Sequence, residues 1–186
     1  MKRIALAQIK GGAQKTTIAA VILNALHRNK IPFNFEDLDR SGVLSIYMTK
    51  SGLAGAVSSK PKVVIVDTPS NFELGIQSFD MVLIPLENEY HTARLALDTQ
   101  AIFKKAGIPT YFVFSRVEYQ KGLQYDEVWK SLADELGAPN IAPFYISDTK
   151  TYRKIINKNI QLTDAILDKA PLLKADFEKI LNEFKA

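Results

Sequence analysis

The chain contains no cysteine. That excludes disulfide bonds, Cys-ligated zinc and Cys-ligated iron–sulfur clusters. Histidine is nearly as scarce. His27 and His91 are the only two, too few for a histidine-based metal centre, and His27 falls in a helical pattern. Long apolar runs are missing as well: no stretch reaches the roughly 18 residues that a membrane-spanning helix needs. The segment Met1-Lys2-Arg3-Ile4-Ala5-Leu6-Ala7-Gln8-Ile9 has the basic start of a signal peptide. Its apolar run is short, however, and Gln8 and Lys10 interrupt it, so a strand is the better reading. With no export signal, a cytoplasmic location is expected. There is no internal repeat, no low-complexity tract and no long linker. Excess charge is modest, at +4, which permits contact with nucleic acid or an acidic surface without requiring it.

What remains is the composition of a folded domain. The 186 residues, 47% hydrophobic and 24% charged, suit one domain spanning 1–186 with a full core. Apolar runs alternate with helical patterns. Strands are expected at Arg3–Ile9, Pro32–Glu36, Lys62–Val66, Met81–Pro85, Thr110–Phe114 and Pro143–Ile146. Helices are expected at Thr16–Asn29, with Ile18, Val21, Ile22 and Ala25 on a buried face, and at His91–Ala106, closed by Gly107. Two more are expected at Tyr125–Leu136, ended by Gly137, and at Pro171–Phe184, with Leu173, Phe177, Ile180, Leu181 and Phe184 on one side. The strands are β-branched and apolar on both faces, which suits a central, mainly parallel sheet covered by helices on both sides. Ligands of such sheets bind beyond the carboxyl ends of the strands, so chemistry is expected directly after apolar runs.

The first strand is followed by Lys10-Gly11-Gly12-Ala13-Gln14-Lys15-Thr16-Thr17 and then by a helix. Small residues let the backbone curl so that its N–H groups converge on a phosphate, and the helix N-terminus adds its dipole. In such a loop Lys15 reaches the outer phosphates and the Thr16 hydroxyl holds Mg²⁺. The standard phosphate loop has a glycine six places before its lysine; Ile9 stands there instead. Two acidic motifs also follow strands. Asp37-Leu38-Asp39 comes after the second. Asp67-Thr68-Pro69 comes after Val63–Val66, where a buried strand presents one carboxylate at its tip, able to hold a Mg²⁺-bound water.

The order Lys-Gly-Gly-x-x-Lys-Thr-Thr resembles the deviant Walker A motif of the ParA/MinD ATPases. The resemblance implies a three-layer P-loop NTPase fold and a site for ATP and Mg²⁺ built from Gly11, Gly12, Ala13, Gln14, Lys15, Thr16 and Thr17. It implies that Lys10 reaches across a nucleotide-sandwich homodimer to the partner's nucleotide. It also implies that Asp39, in the first switch, positions the attacking water near Mg²⁺, with Thr16 and Asp67 serving the metal. Asp67-Thr68-Pro69 matches the second switch, and Ile84-Pro85-Leu86 resembles the family's strand ending in proline. The sequence departs from the family in three places. Gln14 replaces the glycine before the second lysine, where glycine permits torsions other residues resist. Arg40-Ser41 replaces Pro-Gln after Asp39. Ser115, before Arg116, replaces the usual Asn or Thr near the base.

The segment Lys150-Thr151-Tyr152-Arg153-Lys154-Ile155-Ile156-Asn157-Lys158 carries four positive charges and no acid. Arg153, Lys154 and Lys158 are the candidate contacts to DNA phosphates, an attraction that is sequence-independent and salt-sensitive. A solvated helix face is the alternative for them. The last helix mixes Asp176, Glu178 and Glu183 with Lys174, Lys179 and Lys185, which favours packing on the sheet over insertion into a membrane. The expected protein is a short ParA-type ATPase for partition or positioning of plasmid DNA or another cargo, found in the cytoplasm and on the nucleoid. Its hydrolysis would be slow and stimulated by an adaptor or centromere-binding protein. The alternatives are a MinD-like membrane-cycling ATPase, an ATP-dependent ligase such as a dethiobiotin synthetase, and a nucleotide-binding module with little hydrolysis.

Overall fold

In the computed structural model, residues 1–70, 78–86, 90–114 and 156–168 are described, together with Tyr152, Lys154, Glu178 and Asn182. The elements alternate as the apolar pattern requires. Strands β1 (Lys2–Leu6), β2 (Phe33–Asp37), β3 (Val63–Asp67), β4 (Met81–Leu86) and β5 (Thr110–Phe114) are interleaved with helices. These are α1 (Lys15–Arg28), α2 (Val43–Lys50), α3 (Tyr90–Lys105) and the short α4 (Asp164–Leu167), with a 3-10 turn at Leu53–Ala56. Every described strand pairing is parallel, and the order across the sheet is β2-β3-β1-β4-β5.

Strand side chains alternate between the sheet faces, and each face has its own core. Ile4, Leu6, Val63, Ile65, Leu83 and Val113 pack with α1 and α2. Ala5, Ala7, Val64, Val66, Val82, Ile84, Phe112 and Phe114 pack with Ala93, Ala96 and Phe103 of α3. This is helix on sheet on helix, three layers. The successive crossovers β1–β2 and β2–β3 lie to one side of β1, whereas β4 and β5 lie to the other. The direction of winding therefore reverses between β1 and β3, and in open sheets of this kind ligands bind beyond the carboxyl ends of the strands at such a reversal.

Most observed bounds lie within a residue or two of the expected ones, and β5 coincides with Thr110–Phe114. The first strand is shorter than expected, ending at Leu6 rather than Ile9. From Gln8 onward polar groups of the chain bond to α3 and β4 instead of extending the ladder. Helix α1 is buried not on one face but nearly all round: from Lys15 to Leu26 only Thr16 escapes burial. The cause is a second cover. Leu44, Tyr47 and Met48 of α2 and Tyr152, Ile156, Leu162 and Leu167 from the C-terminal region close over it. Asn24, buried in α1, donates to Tyr47 Oη at 2.8 Å and accepts from the Leu162 N–H at 3.0 Å. Tyr47 in turn donates to the Ile160 carbonyl at 3.1 Å, and Arg28 pairs with Asp164 at 2.6 Å. The expected elements Tyr125–Leu136, Pro143–Ile146 and Pro171–Phe184 lie outside the described residues, apart from the helical Glu178 and Asn182.

Candidate nucleotide site

The loop that joins β1 to α1 lies at the reversal point of the sheet. Gly12 has φ of 77° and Gln14 has φ of 65° and ψ of 13°, both left-handed. Two left-handed residues in quick succession turn the chain sharply into α1. Gln14 is the residue immediately before the helix, and its carbonyl already accepts the Ile18 N–H at 2.9 Å. Glycine takes such torsions without cost, whereas an L-residue is strained by about 1–2 kcal/mol. The Gln14 side chain folds back, donating from Nε2 to the Gly12 carbonyl at 3.2 Å, while its buried Oε1 has no hydrogen-bond partner. The first turn of α1 has no acidic residue and no side-chain cap. Its N-terminal dipole is thus left for an anion.

Lys15 and Thr16 open the helix and point toward β3. The Thr16 hydroxyl donates to Asp67 Oδ2 at 2.6 Å. Lys15 Nζ donates to the Gln8 carbonyl at 3.4 Å and to Ser70 Oγ at 3.2 Å. Lys15 is buried, and burial lowers its pKa, against the pull of Asp67 and then Asp39. Asp67 is 1% exposed. Burial raises its carboxyl to about 7, and the Asp37 charge adds to the rise while the Thr16 hydrogen bond opposes it.

Asp39 follows β2, partly exposed, and accepts the Ser41 N–H at 2.9 Å. The Ser41 backbone and side-chain hydrogen bonds hold its carboxyl below the usual range, and Lys15 contributes to that. Asp39 thus lies within electrostatic reach of both Lys15 and Asp67. Ala13 and Thr17 are buried, Gly11 and Gly12 are exposed, and Lys10 is half-buried in the loop. Among the proposed DNA contacts, Lys154 and Lys158 are exposed. They are joined as one helical turn by the Lys158 N–H donating to the Lys154 carbonyl at 3.2 Å. Tyr152 and Ile156, on that same stretch, are buried. Arg153, Ser115 and Arg116 lie outside the described residues.

Four residues at this place escaped the sequence reading. Asp37 is register-paired with Asp67 across β2 and β3. Its Oδ2 accepts the Ser45 N–H at 2.8 Å, which ties α2 to the site. Ser70 meets Lys15, and Gln8 and Thr99 form the loop's inner wall. Asp37 was legible as half of an acidic pair after a strand; the others carry no local motif.

The residues fit a magnesium-bound nucleotide. Asp37 Oδ1 and Asp67 Oδ1 are buried and have no hydrogen-bond partner, which is costly unless a cation or its waters meet them. Hydroxyl and carboxylate oxygens are the hard donors Mg²⁺ takes. Mg²⁺ binds through one or two carboxylates plus substrate phosphates rather than in an all-protein cage. Among the described residues, no three His, Asp or Glu side chains are grouped so as to hold a metal ion by themselves.

No protein-family model matches the chain, and no curated protein matches it in sequence. Solved structures match over essentially the whole chain. A plasmid partition protein of Borrelia burgdorferi bound to AMPPNP superposes with a TM-score of 0.72 at 17% identity, covering 99% of this chain and 98% of that one. The MinD cell division protein of Aquifex aeolicus gives 0.74 at 16%, covering 100% and 98%. The septum site-determining protein MinD of Pyrococcus horikoshii, complexed with Mg-ADP, gives 0.71 at 17%, covering 98% and 95%. The fold is that of the P-loop NTPases, in the form these structures share. No helix among the described residues is long and apolar enough to cross a membrane.

Proposed function

We propose that the chain is a ParA-like ATPase that binds ATP with Mg²⁺ at Lys10–Thr17. The observation that carries this reading is the meeting of three separate sequence motifs beyond β1 and β3. Thr16 touches Asp67 at 2.6 Å, and both Asp67 and Asp39 act on Lys15. Gly11, Gly12, Ala13 and Gln14 supply the curled backbone, the N–H groups of Lys15, Thr16 and Thr17 face the phosphates, and Lys15 neutralises their charge. Thr16 and Asp67 hold the metal, with Asp39 beside it; when bound, Mg²⁺ neutralises phosphate charge and fixes the phosphate chain. Asp39, kept ionised by Ser41, orients the attacking water. Lys10 acts on the nucleotide of a second copy across an ATP-dependent homodimer. The dimer binds DNA nonspecifically through Arg153, Lys154 and Lys158. An adaptor or centromere-binding protein stimulates slow hydrolysis and so releases the dimer, in the cytoplasm and on the nucleoid. The chain works as a single domain, 1–186.

A second reading is a nucleotide-binding module with little turnover. The strained Gln14 and its unpartnered Oε1 favour it. One experiment separates the two. ATP with Mg²⁺ is titrated by calorimetry into wild type and Lys15→Ala, with mass followed by light scattering and phosphate release measured in parallel. Lys15-dependent binding, a monomer-to-dimer shift and ADP formation are expected. Binding without ADP formation, with or without DNA, selects the module. No binding at millimolar ATP rejects both.

A further inference from the structure

Behind the phosphate loop lies a buried polar cluster that no phosphate or metal would touch. Gln8 and Thr99 are 1% and 0% exposed. Thr99, in the middle of α3, accepts the Ile9 N–H on its hydroxyl at 3.2 Å. The same hydroxyl lies 2.9 Å from Gln8 Oε1 and 2.8 Å from the Leu95 carbonyl. It has one proton and two acceptors to give it to. Gln8 Nε2 donates to the Pro85 carbonyl of β4 at 3.2 Å, and the Gln8 backbone carbonyl is where Lys15 Nζ rests, at 3.4 Å. A buried hydroxyl at mid-helix usually satisfies itself on the carbonyl four residues back. Here it does so and also reaches across to another element, where it meets two successive residues of the loop.

Resting on the nucleotide reading above, we infer that Thr99 is a positioning residue for the phosphate loop. By receiving the Ile9 N–H and holding the Gln8 amide against β4, it fixes where the loop leaves the sheet. It thereby fixes the carbonyl from which Lys15 is presented. Thr99 touches no reacting atom and acts only through Gln8 and Ile9. The arrangement also couples α3 to the loop: a shift of α3 along its axis moves the Thr99 hydroxyl away from Ile9, and the loop's inner wall moves with it.

The test compares Thr99→Val, which keeps the shape and removes the hydroxyl, with Thr99→Ser, which keeps the hydroxyl and removes a buried methyl. Melting temperature, calorimetric affinity for AMPPNP with Mg²⁺, and hydrogen exchange at the Ile9 amide are measured on each full-length protein. Thr99→Val is expected to bind roughly tenfold more weakly, the loss of about one buried hydrogen bond, and to exchange Ile9 faster. Thr99→Ser is expected to bind within about twofold of wild type and to keep Ile9 protected, although the lost methyl lowers its melting temperature. A merely structural threonine would make affinity follow melting temperature in both variants. Wild-type affinity and Ile9 protection in Thr99→Val overturn the inference and leave the nucleotide reading intact. Should Thr99→Val fail to fold, Gln8→Met serves in its place, with the same tenfold loss expected and unchanged affinity overturning the inference. Wild type that binds no nucleotide overturns the nucleotide reading and this inference with it; Ile9 exchange then reports only whether the contact exists.

Discussion

Gln14 is the residue whose replacement is most informative. It is held at φ of 65° and buried to 5% exposure, with one side-chain hydrogen bond made and one acceptor unmet. Two substitutions separate these effects. Gln14→Ala and Gln14→Gly both remove the bond to Gly12 and the unpartnered Oε1, but only glycine relieves the torsion. The left-handed strain of an L-residue is about 1–2 kcal/mol. Against it stands the extra freedom that glycine has in the unfolded chain, about 0.4–1 kcal/mol. The net advantage of Gly over Ala is therefore about 1 kcal/mol, or about 2–4 °C in melting temperature for a chain of this size. Wild type should sit close to Gln14→Ala, because losing a buried hydrogen bond and removing a buried unmet acceptor are opposite effects of similar size. Urea and thermal melts of the three proteins read the stability, and calorimetry with AMPPNP and Mg²⁺ reads whether the relaxed loop also binds more tightly or, with ATP, turns over faster. If Gln14→Ala is as stable as Gln14→Gly and binds equally well, the loop does not hold position 14 in the left-handed region and the strain argument fails.

Asp67 gives a pH signature. Its carboxyl stands at about 7 in the fold against an ordinary value of 3.8, raised mainly by burial, so between those limits the folded, metal-free protein holds a proton that the unfolded chain has lost. Stability in chelator should thus fall as pH rises from 5 to 7, by up to about 1.4 kcal/mol per unit, and level off above 7. Asp67→Asn should lose that slope, and melting curves at closely spaced pH values would detect it; an unchanged slope in the variant would remove Asp67 as its source. For the basic turn, neutralising Lys154 and Lys158 together should reduce the slope of log affinity against log salt by about 2 per chain on any duplex sequence. An unaltered slope would mean these lysines face solvent only.

The fold was legible because its signal is a short, continuous apolar run that several strands repeat. Val63-Val64-Ile65-Val66 reads as a strand buried on both faces, and it is one: Val63 and Ile65 enter one core, Val64 and Val66 the other. Gly107 was legible as the end of α3, where its φ of 73° lets Gly107 and Ile108 donate back to Lys104 and Phe103, both at 3.0 Å. The same closure ends α1 on Lys30, with φ of 57° and donations from Lys30 to His27 and from Ile31 to Leu26, but no glycine announces it. Helix α2 had no signal at all. It has eight residues, begins after Gly42 without a side-chain cap and mixes β-branched and aromatic residues. The nearest thing to a cap is Asp37, six positions before the helix, which accepts from the Ser45 N–H. Such a contact exists only once β2 has been placed. Gln8 and Thr99 were illegible for the same reason, since a threonine in α3 acquires its role only when α3 packs against the start of the loop.

The parallel register explains why the parts that were legible converge. Leu6 pairs with Asp67, and Asp67 with Asp37, so β1, β2 and β3 end at one level and the loops leaving them share one rim. Each motif is local in sequence, and the sheet alone brings them together. The rim then carries Asp37, Asp39 and Asp67 around Lys15. A bare polyphosphate would meet more negative than positive charge there, and a bare divalent cation would leave Lys15 and the helix N-terminus without their anion. Only the two together match both sets of groups, so on the proposed reading the affinities for metal and nucleotide are expected to be linked. Among the described residues of this rim, Gln14 is the one that breaks a local backbone preference, and disagreement between local preference and global structure concentrates at functional sites. The strain is therefore a property of the loop geometry the site demands: a relaxed Gln14 would require Lys15 and Thr16 to leave the positions from which they reach Ser70 and Asp67.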